Sequence, residues 1–151
     1  MGDLTPEMPQ RLLSYLSAGA PALLLTAGAD GYPSSAYTWA VALGPKLVRF
    51  AVDREGTAFG NIQRSGLAGL HIIGPNDLAF LIKGTTRKLK DRIAAAAPAG
   101  LMLYEMQVIG ARDQSFPGVT AKPFTYEWPA DHREAMLRME QAVFAEMREA
   151  G

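Results

Sequence analysis

The feature that most limits what this chain can fold into is a succession of short apolar runs separated by turn-forming residues instead of long helices. Ala22–Ala27, Ser34–Leu43, Lys46–Val52, Ala68–Ile73 and Leu78–Lys83 are each apolar or β-branched, and each is bounded by Gly, Pro or Asp. Asp30-Gly31, Gly44-Pro45 and Gly74-Pro75-Asn76-Asp77 mark breaks between them. These residue types supply the backbone angles that tight turns demand. Parallel strands need crossover connections, usually helices. Between these runs only Thr57–Ser65, with Phe59 and Ile62, is patterned as a helix, so the predicted pairing is antiparallel.

Beyond the fifth run, Thr85–Lys90 continues or restarts a strand, Met102–Ala111 reads as another, and Thr125–Trp128 as a last short one. Phe116-Pro117-Gly118 is a turn, and Ala-rich Asp91–Ala97 reads as one or two helical turns. A helix is predicted from about Pro6 to Leu16, with Thr5 as its cap and Leu12, Leu13 and Leu16 on one face. The closing helix runs from Ala130 to Glu149, with Asp131 and Glu134 placed as a capping box. Met136, Met139, Val143 and Met147 form its apolar stripe; Arg and Glu are assigned to the other faces, with Glu134 and Arg138 four apart. The expected fold class is α+β: an antiparallel β-barrel of six to seven strands with flanking N- and C-terminal helices. One domain over 1–151 is expected, with the N-terminal helix in 1–20, the barrel in 21–128 and the last helix in 130–150.

Composition removes several function classes. The 151 residues carry 15 Lys+Arg against 15 Asp+Glu, and phosphate-backbone binders rely on an excess of cations, so no nucleic-acid partner is expected. Zero Cys excludes a disulfide framework, a thiolate metal site and a thiol nucleophile. No apolar run approaches the roughly 20 residues that span a bilayer, and Met1-Gly2-Asp3 lacks a cationic secretory start. A cytoplasmic protein without a membrane partner is the expectation. His71 lies inside an apolar run, where a core or interface role is expected, and His132 faces solvent near the start of the last helix. Neither belongs to a metal-ligand cluster, so no metal is expected. Ser34, Ser35 and Ser65 have no GxSxG context, no P-loop or GxGxxG is present, and carboxylates are scattered singly. No catalytic residue can be assigned.

Three segments remain as carriers of chemistry. Arg49–Phe59 runs from a strand through a turn into a helix opening at Gly56-Thr57, and a helix N-terminus presents free N–H groups that suit a phosphate. Arg54 supplies a charge there and Thr57 a hydroxyl; a plain helix start with a surface Arg is the alternative. Lys83, Arg87, Lys88, Lys90 and Arg92 form a basic run. It reads as a solvated edge strand, where Lys discourages edge pairing, or as a patch for an anionic ligand or, more weakly, for a nucleic acid or membrane surface. Tyr37 and Trp39 share one strand face near Tyr32, placed either to stack on a flat ligand or to pack in a core.

The order of these segments from Pro21 to about Lys90 resembles the FMN-binding split barrel of the pyridoxamine 5′-phosphate oxidase-like superfamily. Ala22-Leu23-Leu24-Leu25-Thr26-Ala27-Gly28-Ala29-Asp30-Gly31-Tyr32-Pro33 is similar to that family's opening strand and hairpin. Ser34-Ser35-Ala36-Tyr37-Thr38-Trp39 corresponds to its flavin-side strand, and Arg49 to Ile62 to its strand, phosphate turn and short helix. Leu67–Ile73 and Leu78–Gly84 resemble the two strands that follow. The resemblance implies a split-barrel homodimer with FMN in a cleft between subunits, acting as an oxidoreductase on a small molecule. It implies that Ser35, Ala36, Tyr37 and Thr38 hold the ring through main-chain groups and that Val52 and Asp53 approach the ribityl chain. The phosphate then meets Arg54 to Thr57, and basic residues around Lys83 complete the cleft. The family's Ser-Arg-Lys at the phosphate turn is replaced by Gly56-Thr57-Ala58, its Arg at the start of the second strand by Ser34 or Ser35, and a Gln on the fifth strand by Ala79. The other reading is a non-catalytic dimeric module of the same fold that holds haem, a deazaflavin or a small effector.

Overall fold

A computed structural model describes residues 2–150 of the chain. Among them, the strands are β1 (Leu4–Thr5), β2 (Ala20–Ala27), β3 (Pro33–Gly44), β4 (Leu47–Asp53), β5 (Leu67–Ile73), β6 (Ala79–Lys90) and β7 (Leu101–Asp113). The helices are α1 (Gln10–Ser17), α2 (Thr57–Ser65) and α3 (Arg133–Glu149). Every pairing is antiparallel, in the order β7-β4-β3-β2-β5-β6, and β6 pairs back onto β7 to close six strands into a barrel. The seventh strand, β1, adds only Leu4↔Arg112 and Thr5↔Ala111 beside β7. The α+β antiparallel barrel expected from the turn-punctuated runs is the fold observed.

The two-residue period of the strands decides what lies inside. On β2, Ala20, Ala22, Leu24 and Thr26 are buried, while Pro21, Leu23 and Leu25 face outward and are half-buried. Leu24, Phe50, Leu70, Ile72, Ile82 and Met106 fill the interior and are fully buried, each contributing about 1.5–3 kcal/mol by leaving water. The helices plug the two mouths. Met8, Leu12 and Leu16 bring α1 into the core near the β3–β4 turn, where the Met8 N–H donates to the Pro45 carbonyl at 2.9 Å. Ala58 and Ile62 bring α2 in at the other mouth, where Asn61 donates to the Thr26 hydroxyl at the end of β2 at 3.0 Å.

Helix α3 lies outside the barrel. Val143, Phe144 and Met147 pack on the outward residues Val41, Ala51 and Leu103. Buried Arg49 on β4 ties down the end of α3: its Nε donates to Glu105 at 3.0 Å and its Nη1 to the Met147 and Arg148 carbonyls at 2.9 and 3.2 Å. A cation there meets carbonyls that have no partner within the helix. Among the described residues no helix is long and apolar enough to cross a membrane.

The structure corrects several local expectations. The first helix starts at Gln10 rather than Pro6, because Thr5 and Met8 each precede a proline and are thereby pushed toward extended backbone. Thr5 joins β1, and its hydroxyl donates to the Glu7 and Ala111 carbonyls instead of capping a helix. The runs Leu78–Lys83 and Thr85–Lys90 fuse into β6 through an irregularity between Lys83 and Gly84. β6 pairs with β5 only as far as Thr85 and with β7 as far as Lys90, so Arg87 to Lys90 are paired on one side, as on an edge strand. Asp91–Ala97 contains a single 3-10 turn at Ala94–Ala96. Thr125–Trp128 joins no strand. Helix α3 opens after His132 without a side-chain cap, so Asp131 and Glu134 form no capping box. Glu140 lies on the buried face of α3 rather than an outer one.

Candidate functional site

The ladder between β3 and β4 ends at Ala40↔Phe50. Beyond it, β3 follows β2 to Pro33↔Ala27, while β4 follows β7 to Asp53↔Leu101. The two strands therefore diverge and the barrel wall opens. At the mouth of the split the Thr38 hydroxyl donates to the Ala51 carbonyl at 2.6 Å, a side-chain bond where the backbone ladder has stopped. The opening is a cleft of about 360 Å³ lined by Thr38 and Trp39 of β3, Ala51 and Asp53 of β4, and Leu101 of β7. That size lies within the range of small-molecule sites, about 300–1,000 Å³.

Residues 124–128 roof this cleft as an extended strap. The Phe124 N–H donates to the Ile73 carbonyl at 2.8 Å, and the Phe124 ring lies 5.3 Å from that of Tyr37. Trp39 donates its indole N–H to the Tyr126 hydroxyl at 2.6 Å. Tyr126 in turn donates to the Glu140 carboxylate, and Trp128 donates to the same carboxylate oxygen at 2.8 Å. The Tyr126 and Trp128 rings meet edge to face at 5.6 Å. Burial, reinforced by Glu140 accepting its proton, pushes the Tyr126 phenol well above its ordinary pKa. Glu140 thus anchors the strap to α3 with both of its donors drawn from the strap.

Tyr37, Thr38 and Asp53 line the cleft, and Ser35 and Ala36 lie exposed farther along β3. Val52 points into the barrel and is 1% exposed, so it presents only main chain to the outside. Arg54 and Thr57 lie in the turn to α2. The Arg54 N–H donates to the Gly100 carbonyl at 2.9 Å and its guanidinium to the Asp91 carbonyl. Gly56 precedes α2 with no side-chain cap, and Asp53 accepts the Glu55 N–H at 3.0 Å. In the basic run, Arg87 pairs with Glu105 at 2.8 Å, Lys88 with Asp91 and Lys90 with Glu146. Lys83 lies in a separate groove with Leu25, Gly69 and Ile109. His71 is half-buried on β5, opposite Leu23 and Leu81, and burial lowers its pKa; His132 is exposed. Among the described residues no group of three or more His, Cys, Asp or Glu side chains is placed to hold a metal ion.

Phe124, Tyr126, Trp128 and Glu140 escaped the sequence reading. Thr125–Trp128 reads as a short strand, Phe124 carries no signal of its own, and charge alone places Glu140 on a solvated face. Its spacing from Met136 and Val143, four and three residues, was the available signal.

No protein-family model matches the sequence, and no curated protein matches it. Solved structures do match by shape. An F420 reductase aligns at 16% identity with a TM-score of 0.60, covering 71% of this chain and 100% of that one. HupZ of Group A Streptococcus aligns at 14% identity and TM-score 0.58, covering 78% and 99%. A Clostridium acetobutylicum protein of the pyridoxinephosphate oxidase family, related to general stress protein 26 of B. subtilis, aligns at 13% identity and TM-score 0.55, covering 76% and 90%. The fold is the split barrel of the pyridoxamine 5′-phosphate oxidase-like proteins. Within this split barrel the β3–β4 divergence is the opening, and the strap from 124 to 128 covers it.

Proposed function

We propose that this split barrel binds a flat, flavin-type ring in the cleft between β3 and β4 and works as an oxidoreductase on a small molecule. The observation that carries the reading is the coincidence of two things. The strand that the family resemblance assigns to the flavin, Ser35 to Thr38, runs into the cleft, and the cleft is walled by Tyr37, Trp39, Phe124, Tyr126 and Trp128. Such walls suit a planar conjugated ring, which gains from stacking and apolar burial. A bound flavin supplies the hydride or electron transfer. The chain's own part is to bind and orient the ring, with Thr38 and Asp53 as polar groups at the cleft and the strap excluding water.

The test of FMN as occupant divides in two. The ring half fits the aromatic cleft. The phosphate half does not: Arg54 is turned to Asp91, and Asp53 adds a carboxylate where the phosphate turn begins. A second reading is a non-catalytic module holding haem, a deazaflavin or a small effector, and within it the mismatch favours an occupant without an anionic group at the turn.

The proposal includes a homodimer. Its support is the outer face of β2, β5, β6 and β7, where Leu67 on β5 is 54% exposed and Ile109 on β7 57%, with Tyr32 at 73% beside them. A second copy covering these side chains removes an apolar surface from water. The cytoplasm belongs to this proposal as the compartment.

The visible spectrum of the freshly purified protein tests the reading. A flavin band, or one that persists after incubation with a flavin and desalting, supports it. A colourless protein that retains no flavin, or one showing a haem band, overturns it. Light scattering at micromolar concentration is expected to give twice the monomer mass, and Ile109→Arg to halve it.

A further inference from the structure

The charges around the split place a carboxylate where a phosphate-anchored cofactor needs cations. Among the described residues, Asp53 is the one charged side chain lining the cleft. Its Oδ1 accepts the Glu55 N–H, which fixes the carboxylate in the turn leading to α2. That turn carries Asp53 and Glu55 against Arg54 alone, and the Arg54 guanidinium donates to the Asp91 carbonyl, on the stretch that follows β6. Most neighbouring cations are already matched: Lys88 by Asp91, Lys90 by Glu146, and Arg87 together with buried Arg49 by Glu105, while Arg92 beside Asp91 is exposed. A helix N-terminus attracts an anion through its free N–H groups. At α2 that attraction is opposed by two carboxylates within the four residues before Thr57. A phosphate dianion entering here meets like charge, and to gain Arg54, Lys88 or Lys90 it must displace an existing hydrogen bond or ion pair.

The apolar part of the site carries no such conflict. Aromatic rings from β3 and the strap form its walls, and Thr38 has already spent its hydroxyl proton on the Ala51 carbonyl. What the cleft offers a ligand is stacking surface plus one carboxylate, a combination suited to an uncharged ring with N–H groups or to a cationic ring. We propose that the split-barrel cleft selects a planar heterocycle without a phosphate, neutral or positively charged, with Asp53 as the residue that sets this preference. The inference rests on the ring-binding reading above and goes beyond it by naming the ligand class.

Riboflavin and FMN share one ring and differ in the phosphate, so their affinities separate the two ideas. Each is titrated into the full-length purified protein while flavin fluorescence is followed, at low and at physiological salt. The expected result is a riboflavin Kd below that of FMN, with FMN affinity improving as salt screens the repulsion. Asp53→Asn is expected to tighten FMN by threefold or more and to leave riboflavin within twofold, a contrast that a structural lesion at Asp53 would not produce. FMN binding as tightly as riboflavin or more tightly overturns the proposal, as does an Asp53→Asn variant that shifts both equally. Binding of neither flavin removes the ring-binding reading itself, a failure distinct from a preference for FMN.

Discussion

The indole N–H of Trp39 on β3 donates to the hydroxyl of Tyr126 in the strap at 2.6 Å, across 87 residues of sequence. This bond joins the wall of the split to its roof. Through Tyr126 it continues to Glu140 on α3, so one buried carboxylate holds together three parts of the chain that share no local pattern. Replacing Glu140 by Leu leaves the Tyr126 and Trp128 donors without their acceptor. The expected loss is about 1–3 kcal/mol, or a fall in Tm of roughly 2–4 °C per kcal/mol for a chain of this size. Thermal unfolding by circular dichroism measures it. An unchanged Tm would mean that the strap is not fastened through Glu140.

Tyr126 also predicts a response to alkali. Burial first, then the Glu140 acceptor, raises its folded pKa above the ordinary value of 10.0. A raised phenol pKa means that the folded state favours the neutral form. The resulting stability is fully present below pH 10 and is lost as pH rises through 10 toward the folded pKa. Burial raises Tyr15 and Tyr104 as well. The expected outcome is therefore a shallower fall of Tm between about pH 9 and 11 in Tyr126→Phe, not its disappearance.

Thr38 supplies the bond that replaces the ladder where β3 and β4 part. Thr38→Val keeps the shape and removes the donor, and is expected to cost about 1 kcal/mol. Thr38→Ser restores the donor and recovers most of that loss. Urea unfolding of the three proteins decides the point, and equal midpoints would show that the split needs no side-chain bond.

Arg49 and Arg87 share Glu105 but differ in burial. Arg49 is 7% exposed and also holds the end of α3, whereas the Arg87 side chain is 71% exposed. Arg49→Met is expected to destabilise by about 3–5 kcal/mol, because it breaks a buried pair and strands two carbonyls. Arg87→Met is expected to change stability by at most about 1 kcal/mol. Similar values for the two in chemical denaturation would contradict the picture of α3 as clamped from below.

Gly84 sits at the β6 irregularity, where an added Cβ would lie 2.0 Å from the Gln107 carbonyl oxygen. Backbone, not a flexible side chain, is the obstacle. Gly84→Ala is expected to lower stability by about 3 kcal/mol, whereas Gly60→Ala, with open space around it, is expected to be neutral or stabilising. The two Tm values measured side by side check this.

The sequence alone determined the antiparallel barrel, since short apolar runs broken by Gly, Pro and Asp pair antiparallel wherever no helix carries the chain across. It also placed α2, because Thr57–Ser65 is the stretch whose period differs from the runs around it. Tertiary structure decided where β3 and β4 part, because the end of a ladder depends on competing pairings with β2 and β7 that no local residue announces. It also decided the strap. Tyr126 and Trp128 stay out of the sheet because their polar ends find a buried carboxylate on α3, and a carboxylate is buried only where such donors converge. Patterns of period two and 3.6 record which face of an element leaves water; they do not record which distant group meets it there.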